Sequence, residues 1–254
     1  MQDGNVDPYH AFPTHELLRQ QGINVRTIAG QWAHNYPDQP DRHSEVTSGY
    51  GAEAYPNMTR FDWAVELFPW FEYYLKGIGD EPESYVQMQR NDGRWHIEET
   101  WPPEDLSVLQ VPGDGGNQRV SSTSGGFEIT LEISDGPIHI SGLPTLHTDV
   151  STGLCNGGQL FVTMKDGESG LRLGHATMDV RYREGGYDSK PTASLTSYRM
   201  LMEFNPMDVI VPSGILTLQF SESGEDYIPS PCAVNGLLVL SLIHISEPTR
   251  LQQI

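Results

Sequence analysis

Residues 127–133 read Phe-Glu-Ile-Thr-Leu-Glu-Ile, an unbroken alternation of apolar and polar side chains. Neighbouring side chains of a strand point to opposite faces, so this stretch belongs in a sheet with one face buried and one wet. Shorter runs of the same kind recur at 138–140, 159–164, 176–181, 197–204 and 215–220. Turn clusters such as Asp166-Gly167 and Glu184-Gly185-Gly186 separate them. Many short strands at this spacing predict a sandwich or jelly roll. No repeat accompanies them.

The chain changes character near residue 95, and before it the pattern is helical and loop-rich. Residues 15–21 predict a short helix, with Thr14 as N-cap and Gly22 as its stop. A strand follows at 24–29, with Val25 and Ile28 as its apolar members. Residues 31–48 are polar, contain Pro37 and Pro40, and predict a loop. Residues 60–76 predict a second helix. Phe61, Val65, Phe68, Phe71 and Leu75 lie three or four apart and form one apolar stripe. Pro69 should kink this helix or divide it in two, and Gly77 and Gly79 end it.

Charge narrows the partners. The 254 residues carry 34 acids against 15 bases, a formal charge of −19, and only Lys76, Lys165 and Lys190 are lysines. Such a surface repels phosphate backbones, so no nucleic-acid partner is expected. It suits a soluble acidic protein or, as a sharper reading, one adapted to salt. No apolar run reaches 18 residues, so no membrane span is expected. The opening Met1-Gln2-Asp3-Gly4-Asn5 has no basic and apolar leader pattern. Cys155 and Cys232 have no metal-ligand spacing and read as free buried thiols, with a single bridge as the alternative.

The first segment also has the order that acid–base chemistry needs. Asp3 sits in a turn, a helix and strand follow, and His34 lies in the next polar loop, 31 residues on. In α/β hydrolases the triad runs Ser, Asp, His along the chain. A loop, helix and strand returning to the same sheet edge fill about 30 residues. A serine hydroxyl attacks only when a neutral imidazole takes its proton, and a carboxylate fixes that imidazole's tautomer. Asp7 and His43 are the alternative acid and base. His10 and His15 read as helix-surface residues. His139, His147 and His175 read as scattered strand residues and not as a cupin-like metal site. Ser230, between two prolines, reads as a turn residue. Trp63, Trp70, Tyr73 and Tyr74 read as helix packing against a sheet, with stacking on a ligand as the alternative.

Several motifs resemble the X-Pro dipeptidyl-peptidases and cocaine esterases, the CocE/NonD serine hydrolases. Asp3-Gly4-Asn5-Val6-Asp7-Pro8 resembles the catalytic-aspartate motif, and Gln31-Trp32-Ala33-His34 the histidine loop. The run from Trp70 to Gly77 resembles an aromatic helix ending in Leu-Lys-Gly. Gly93-Arg94-Trp95, Glu99 and Trp101-Pro102-Pro103 resemble the lead into the C-terminal β domain. Gly142-Leu143-Pro144, Gly174-His175, Asp179, Arg181-Tyr182 and Pro229-Ser230-Pro231 fit later parts of that domain. The resemblance runs in order over about residues 1–240.

The resemblance implies an α/β plus all-β chain. Residues 1–95 would be the C-terminal remnant of an α/β-hydrolase domain, and 96–240 a jelly-roll sandwich of the galactose-binding type. It implies Asp3 and His34 as catalytic acid and base, a peptide or small ester substrate, and no cofactor. No Gly-x-Ser-x-Gly elbow occurs, so the nucleophile, oxyanion hole and cap are expected upstream and the isolated chain is expected to be inactive. Amide hydrolysis of the X-Pro type is the leading reading, with cocaine-esterase-like ester hydrolysis as its alternative. A non-catalytic carbohydrate-binding or interaction sandwich is the reading from another class. Finally, 241–254 resembles translated sequencing-adapter read-through and is expected to be an artefactual tail.

Overall fold

The computed structural model describes residues 10–31, 63–104, 107–113, 117–184, 188–224 and 227–250. The chain divides into two units, Met1–Glu104 and Asp105–Ile254.

In the first unit, α1 (Ala11–Gln20) begins four residues earlier than its sequence pattern suggests. Pro13 is tolerated because a first-turn N–H has no helical acceptor. Thr14 therefore lies inside the helix, and its hydroxyl donates to the His10 carbonyl at 2.7 Å instead of capping. Phe12, buried in that first turn, packs on Trp101 with ring centroids 4.0 Å apart. At the far end, Ile23 N–H bonds Leu18 O and Gly22 N–H bonds Arg19 O. This is a Schellman closure, and it needs the left-handed backbone that Gly22 supplies at φ 73°.

Strand β1 (Arg26–Ala29) pairs in parallel with β2 (Tyr85–Gln89), which pairs antiparallel with β3 (Trp95–Glu98). β1 starts two residues later than expected, because Asn24 and Val25 bond the Pro82–Ser84 loop through side chains. Helix α2 (Trp63–Phe71) runs through Pro69 undivided, widens into a π-helical turn at Glu72–Lys76 and stops at Gly77 in the left-handed region. Its expected apolar stripe exists but is not buried. Val65, Phe68, Phe71 and Leu75 are all exposed.

The second unit is β throughout. A four-stranded antiparallel sheet has the order β10–β9–β13–β6, from β10 (Arg172–Asp179), β9 (Gln159–Asp166), β13 (Ile215–Ser221) and β6 (Phe127–Glu132). A larger sheet has the order β11–β8–β14–β7–β12. Its strands are β11 (Ser197–Glu203), β8 (Thr145–Thr152), β14 (Leu237–Arg250), β7 (Ile138–Gly142) and β12 (Met207–Val211). β4 (Ser107–Gly113) and β5 (Gln118–Val120) also pair with β14. Leu160, Val162, Leu216, Leu218 and Phe220 from the small sheet join Ile138, Ile140, Leu146, Met200 and Val209 from the large one in a single core. β10 stops at Asp179, short of the expected Arg181. The Asp179 carboxylate accepts the Arg181 N–H at 2.9 Å and turns the chain into a 3-10 turn.

The stretch beyond Ser241, set apart in the sequence, continues β14 as backbone. Its register slips between Val239 and Ser241 and between Leu242 and His244 against β8.

The cysteines correct an expectation. Cys155 and Cys232 are not free thiols but a disulfide with Cα atoms 5.7 Å apart. That spacing lies inside the range a bridge requires. It ties the β8–β9 loop to the turn before β14 across 77 residues of sequence. Closing so long a loop removes denatured-state entropy worth about 2–4 kcal/mol. Cys155→Ser/Cys232→Ser should therefore lower the guanidinium midpoint of this unit, and reductant should match the double variant without adding to it. A midpoint indifferent to both would show that the bridge adds no stability.

Candidate functional site

Parallel pairing places the C-terminal ends of β1 and β2 on one edge of the sheet, with Ala29 opposite Met88. In open α/β sheets that edge is where sites form. Just past β1, Gln31 and Gln89 are both 1% exposed and clasp each other. Gln31 N–H donates to Gln89 Oε1 at 3.2 Å, and Gln31 Nε2 donates to Gln89 O at 2.9 Å. Gln89 Nε2 reaches the Gly93 carbonyl at 3.5 Å. Buried amides need such partners, so the pair fixes where the chain leaves the sheet. His34 lies three residues further on.

Asp3 and His34 themselves lie outside the described residues, as do the alternatives Asp7 and His43. What is described between them is a helix followed by a strand, α1 then β1. The glutamine clasp was missed in the sequence. Its one signal is polarity in the wrong place, at the end of Tyr-Val-Gln-Met-Gln, where Val86, Met88 and Gln89 are all buried.

The histidines correct another expectation. His10 is exposed, but His15 is 3% exposed and its Nδ1 meets Thr27 Oγ1 of β1 at 2.8 Å. α1 thus turns His15 toward the sheet and not to solvent. Burial lowers its pKa, offset in part by Glu16 and reinforced by Arg19. Trp70 is half-buried and stacks on Tyr74 at 5.5 Å. Tyr74 is exposed and donates to Glu81 Oε1 at 2.8 Å.

In the second unit, His139 on β7 hydrogen-bonds Asp208 on β12 through Nε2, both buried, on the face opposite Ile138 and Ile140. His175 on β10 is 2% exposed. Its Nδ1 accepts from Arg172 Nη2 at 2.7 Å, which leaves Nε2–H to donate to the Tyr227 hydroxyl at 3.1 Å. Phe161 stacks on the same imidazole at 5.5 Å. Burial, helped by the Arg172 charge, lowers the His175 pKa to about 3. Among the described residues no three His, Cys, Asp or Glu side chains converge as metal ligands. Ser230 is buried in a turn, its N–H donating to Glu222 Oε1 at 3.2 Å.

Comparison with solved structures places this fold. An aminopeptidase from a marine-sediment archaeon of the Thaumarchaeota superposes with a TM-score of 0.67 at 13% identity, covering 98% of this chain and 54% of that one. A CocE/NonD family hydrolase from Staphylococcus aureus gives 0.62 at 12% identity, with 92% and 55% covered. An α-amino acid ester hydrolase gives 0.59 at 14%, with 95% and 52% covered. The fold is that of one half of such hydrolases. The chain spans about half the length of each of these three proteins. No protein-family model matches it, and no curated protein does.

Two outcomes test this geometry. Gln89→Leu leaves the buried Gln31 N–H without its acceptor and should cost about 1–3 kcal/mol in urea unfolding. An unchanged midpoint would deny the clasp its role. For His175, the unfolded chain takes up a proton below pH 6.5 while the folded chain resists until about pH 3. Stability is therefore complete above pH 6.5 and falls as pH drops toward 3, by about 1.4 kcal/mol per unit from this group. His175→Gln should flatten that slope relative to the parent chain, whose carboxylates contribute equally in both.

Proposed function

We propose that this chain is the C-terminal portion of a serine hydrolase that cleaves amide bonds, of the X-Pro dipeptidyl-peptidase type. The observation that carries the reading is fold similarity over nearly the whole chain to an aminopeptidase and to a CocE/NonD hydrolase. The motif resemblance runs in the same direction. In this reading Asp3 is the triad acid, His34 is the base on the loop that leaves the Gln31–Gln89 clasp, and the serine comes from sequence before Met1.

The chemistry follows the triad scheme. His34 removes the serine proton as the hydroxyl attacks the substrate carbonyl, then returns it to the leaving amine. Asp3 holds the tautomer and stabilises the imidazolium. The ester-hydrolysing alternative uses the same groups. The likeness to an α-amino acid ester hydrolase favours keeping it as the second reading. The β unit in this reading is the jelly-roll partner of the hydrolase domain, with 96–240 as its native extent. Among the described residues no helix is long and apolar enough to cross a membrane.

The test is the gene's upstream sequence, joined to this chain and expressed. A Gly-x-Ser-x-Gly elbow should precede Asp3, and the enzyme should be labelled by a serine-directed phosphonate. Asp3→Asn should lower kcat about 10⁴-fold, with X-Pro dipeptide amides as substrate. A loss below tenfold would move the acid role, to Asp7 first. Turnover of simple esters with no cleavage after proline would favour the esterase.

A further inference from the structure

Four loops of the β unit, at 121–126, 153–158, 191–196 and 231–236, meet at one end of its sheets. Antiparallel pairing brings them there. It sets Ser151 of β8 beside Ser197 of β11, and Thr152 of β8 beside Leu237 of β14. The loops are laced to one another. Ser122 N–H donates to the Ala233 carbonyl at 2.9 Å, and Leu195 N–H to the Gly153 carbonyl at 3.0 Å. Ser194 Oγ donates to Asn156 Oδ1 at 2.6 Å, and Thr152 Oγ1 to the Ala193 carbonyl at 2.6 Å. The Cys155–Cys232 bridge joins the second loop to the fourth.

Composition sets these loops apart. None of them holds an Asp, Glu, Lys, Arg or His, in a chain that is 19% charged and carries a formal −19. Glycine, serine, threonine and asparagine supply most of their residues. The side chains that stand out from them include apolar ones, Leu154 at 76% exposed, Leu195 at 70% and Val234 at 65%. Two arginines reach in from the rim. Arg119 Nη1 donates to the Asn235 carbonyl, and Arg183 Nη2 to the Pro191 carbonyl. Leu195 is also held at φ 55°, a left-handed backbone that leucine seldom adopts. Exposure and strain both cost free energy, and here they fall on one residue. A centre without charge, carrying apolar side chains, has the composition of an interface core. The lacing fixes the loops beforehand, so docking has little left to order.

We propose that these loops are a self-association surface, on which two copies of this chain pair about a two-fold axis. Charge argues for a second copy as the occupant. Two bodies of charge −19 repel each other, and like charges set face to face oppose contact. When this end meets itself, no carboxylate of the four loops is set against another. A two-fold contact uses the same patch on both sides, so Leu154, Leu195 and Val234 of one copy lie against the same patch of the other. Four loops of six residues come near the about 20–30 residues that each side of a standard interface supplies. Neither Asp3 nor His34 takes part, so the pairing stands or falls apart from the hydrolase reading.

Sedimentation equilibrium of this chain is the test, and a reversible monomer–dimer equilibrium is expected. Leu154→Asp and Leu195→Asn should each weaken it about tenfold or more. Neither should lower the thermal midpoint, because Leu154 is exposed and asparagine tolerates the left-handed backbone better than leucine. Leu201→Glu, at an exposed position along β11 and outside the loops, should leave the dimer unchanged. Raising salt from about 50 to 500 mM should strengthen association, since it screens the repulsion between two acidic bodies.

A chain that stays monomeric at about 1 mM would overturn the proposal. So would a dimer or larger aggregate indifferent to both loop substitutions, because the contact would then lie elsewhere. A dimer that salt dissolves overturns it as well, since ion pairs would then hold the copies together. Monomers that bind phosphatidylcholine vesicles, and lose that binding in Leu154→Asp, would assign the surface to a membrane instead.

Discussion

The parallel register of β1 against β2 is the constraint from which the first unit's other properties follow. Parallel neighbours cannot be joined by a tight turn, so residues 30–84 must travel from the end of one strand to the start of the other. α2 lies in that connection. The pairing also sets both C-terminal strand ends on one edge, where Gln31 and Gln89 meet. Shifting the register by one residue would turn Ala29 and Met88 from the interior and part the glutamines. The position of the candidate edge and the placement of α2 thus both follow from one hydrogen-bond ladder.

The second unit rests on a different balance. Its core is apolar, yet the outward faces of its sheets carry buried polar groups. His139 with Asp208, and His175 with Arg172 and Tyr227, are hydrogen-bonded to each other, and His139, Asp208 and His175 are withdrawn from water. Such pairs add little net stability relative to apolar packing, but losing one member leaves the other stranded. Gly224 shows how closely the chain covers one of these faces. A Cβ there would lie 2.3 Å from the Phe161 ring, beside the imidazole of His175. The loop before β14 therefore covers this cluster directly, and the disulfide at Cys232 pins the end of that loop.

How much of this was legible in the sequence depends on what each signal measures. Strict alternation found β6, and shorter runs found β7, β9, β10, β11 and β13, because burial on one face writes itself as period two. β8 was missed although its burial alternates without a break, since half of its buried positions are Thr148 and Thr152. β12 was missed because Asp208 interrupts it, a buried charge that hydrogen-bonds the distant His139. His15 was read as surface because a short amphipathic helix does not announce its partner, and Thr27 is twelve residues away. The disulfide stood only as the alternative to free thiols, since two cysteines 77 residues apart carry no spacing signal. The order of helix and strand between Asp3 and His34 was legible. The distance between the two side chains depends on residues outside those described.

The stripe on α2 teaches the opposite lesson. Periodicity reported an apolar face correctly, and the inference that it is buried within this chain did not hold. Amphipathicity says that a face needs cover but not which polypeptide supplies it. Arg26 decides the matter locally, because pairing with Glu66 and lying over Trp70 and Tyr85 rewards the inverted orientation. Such a choice is stable in isolation only at the cost of about 25 cal/mol for each Å² of apolar surface left in water.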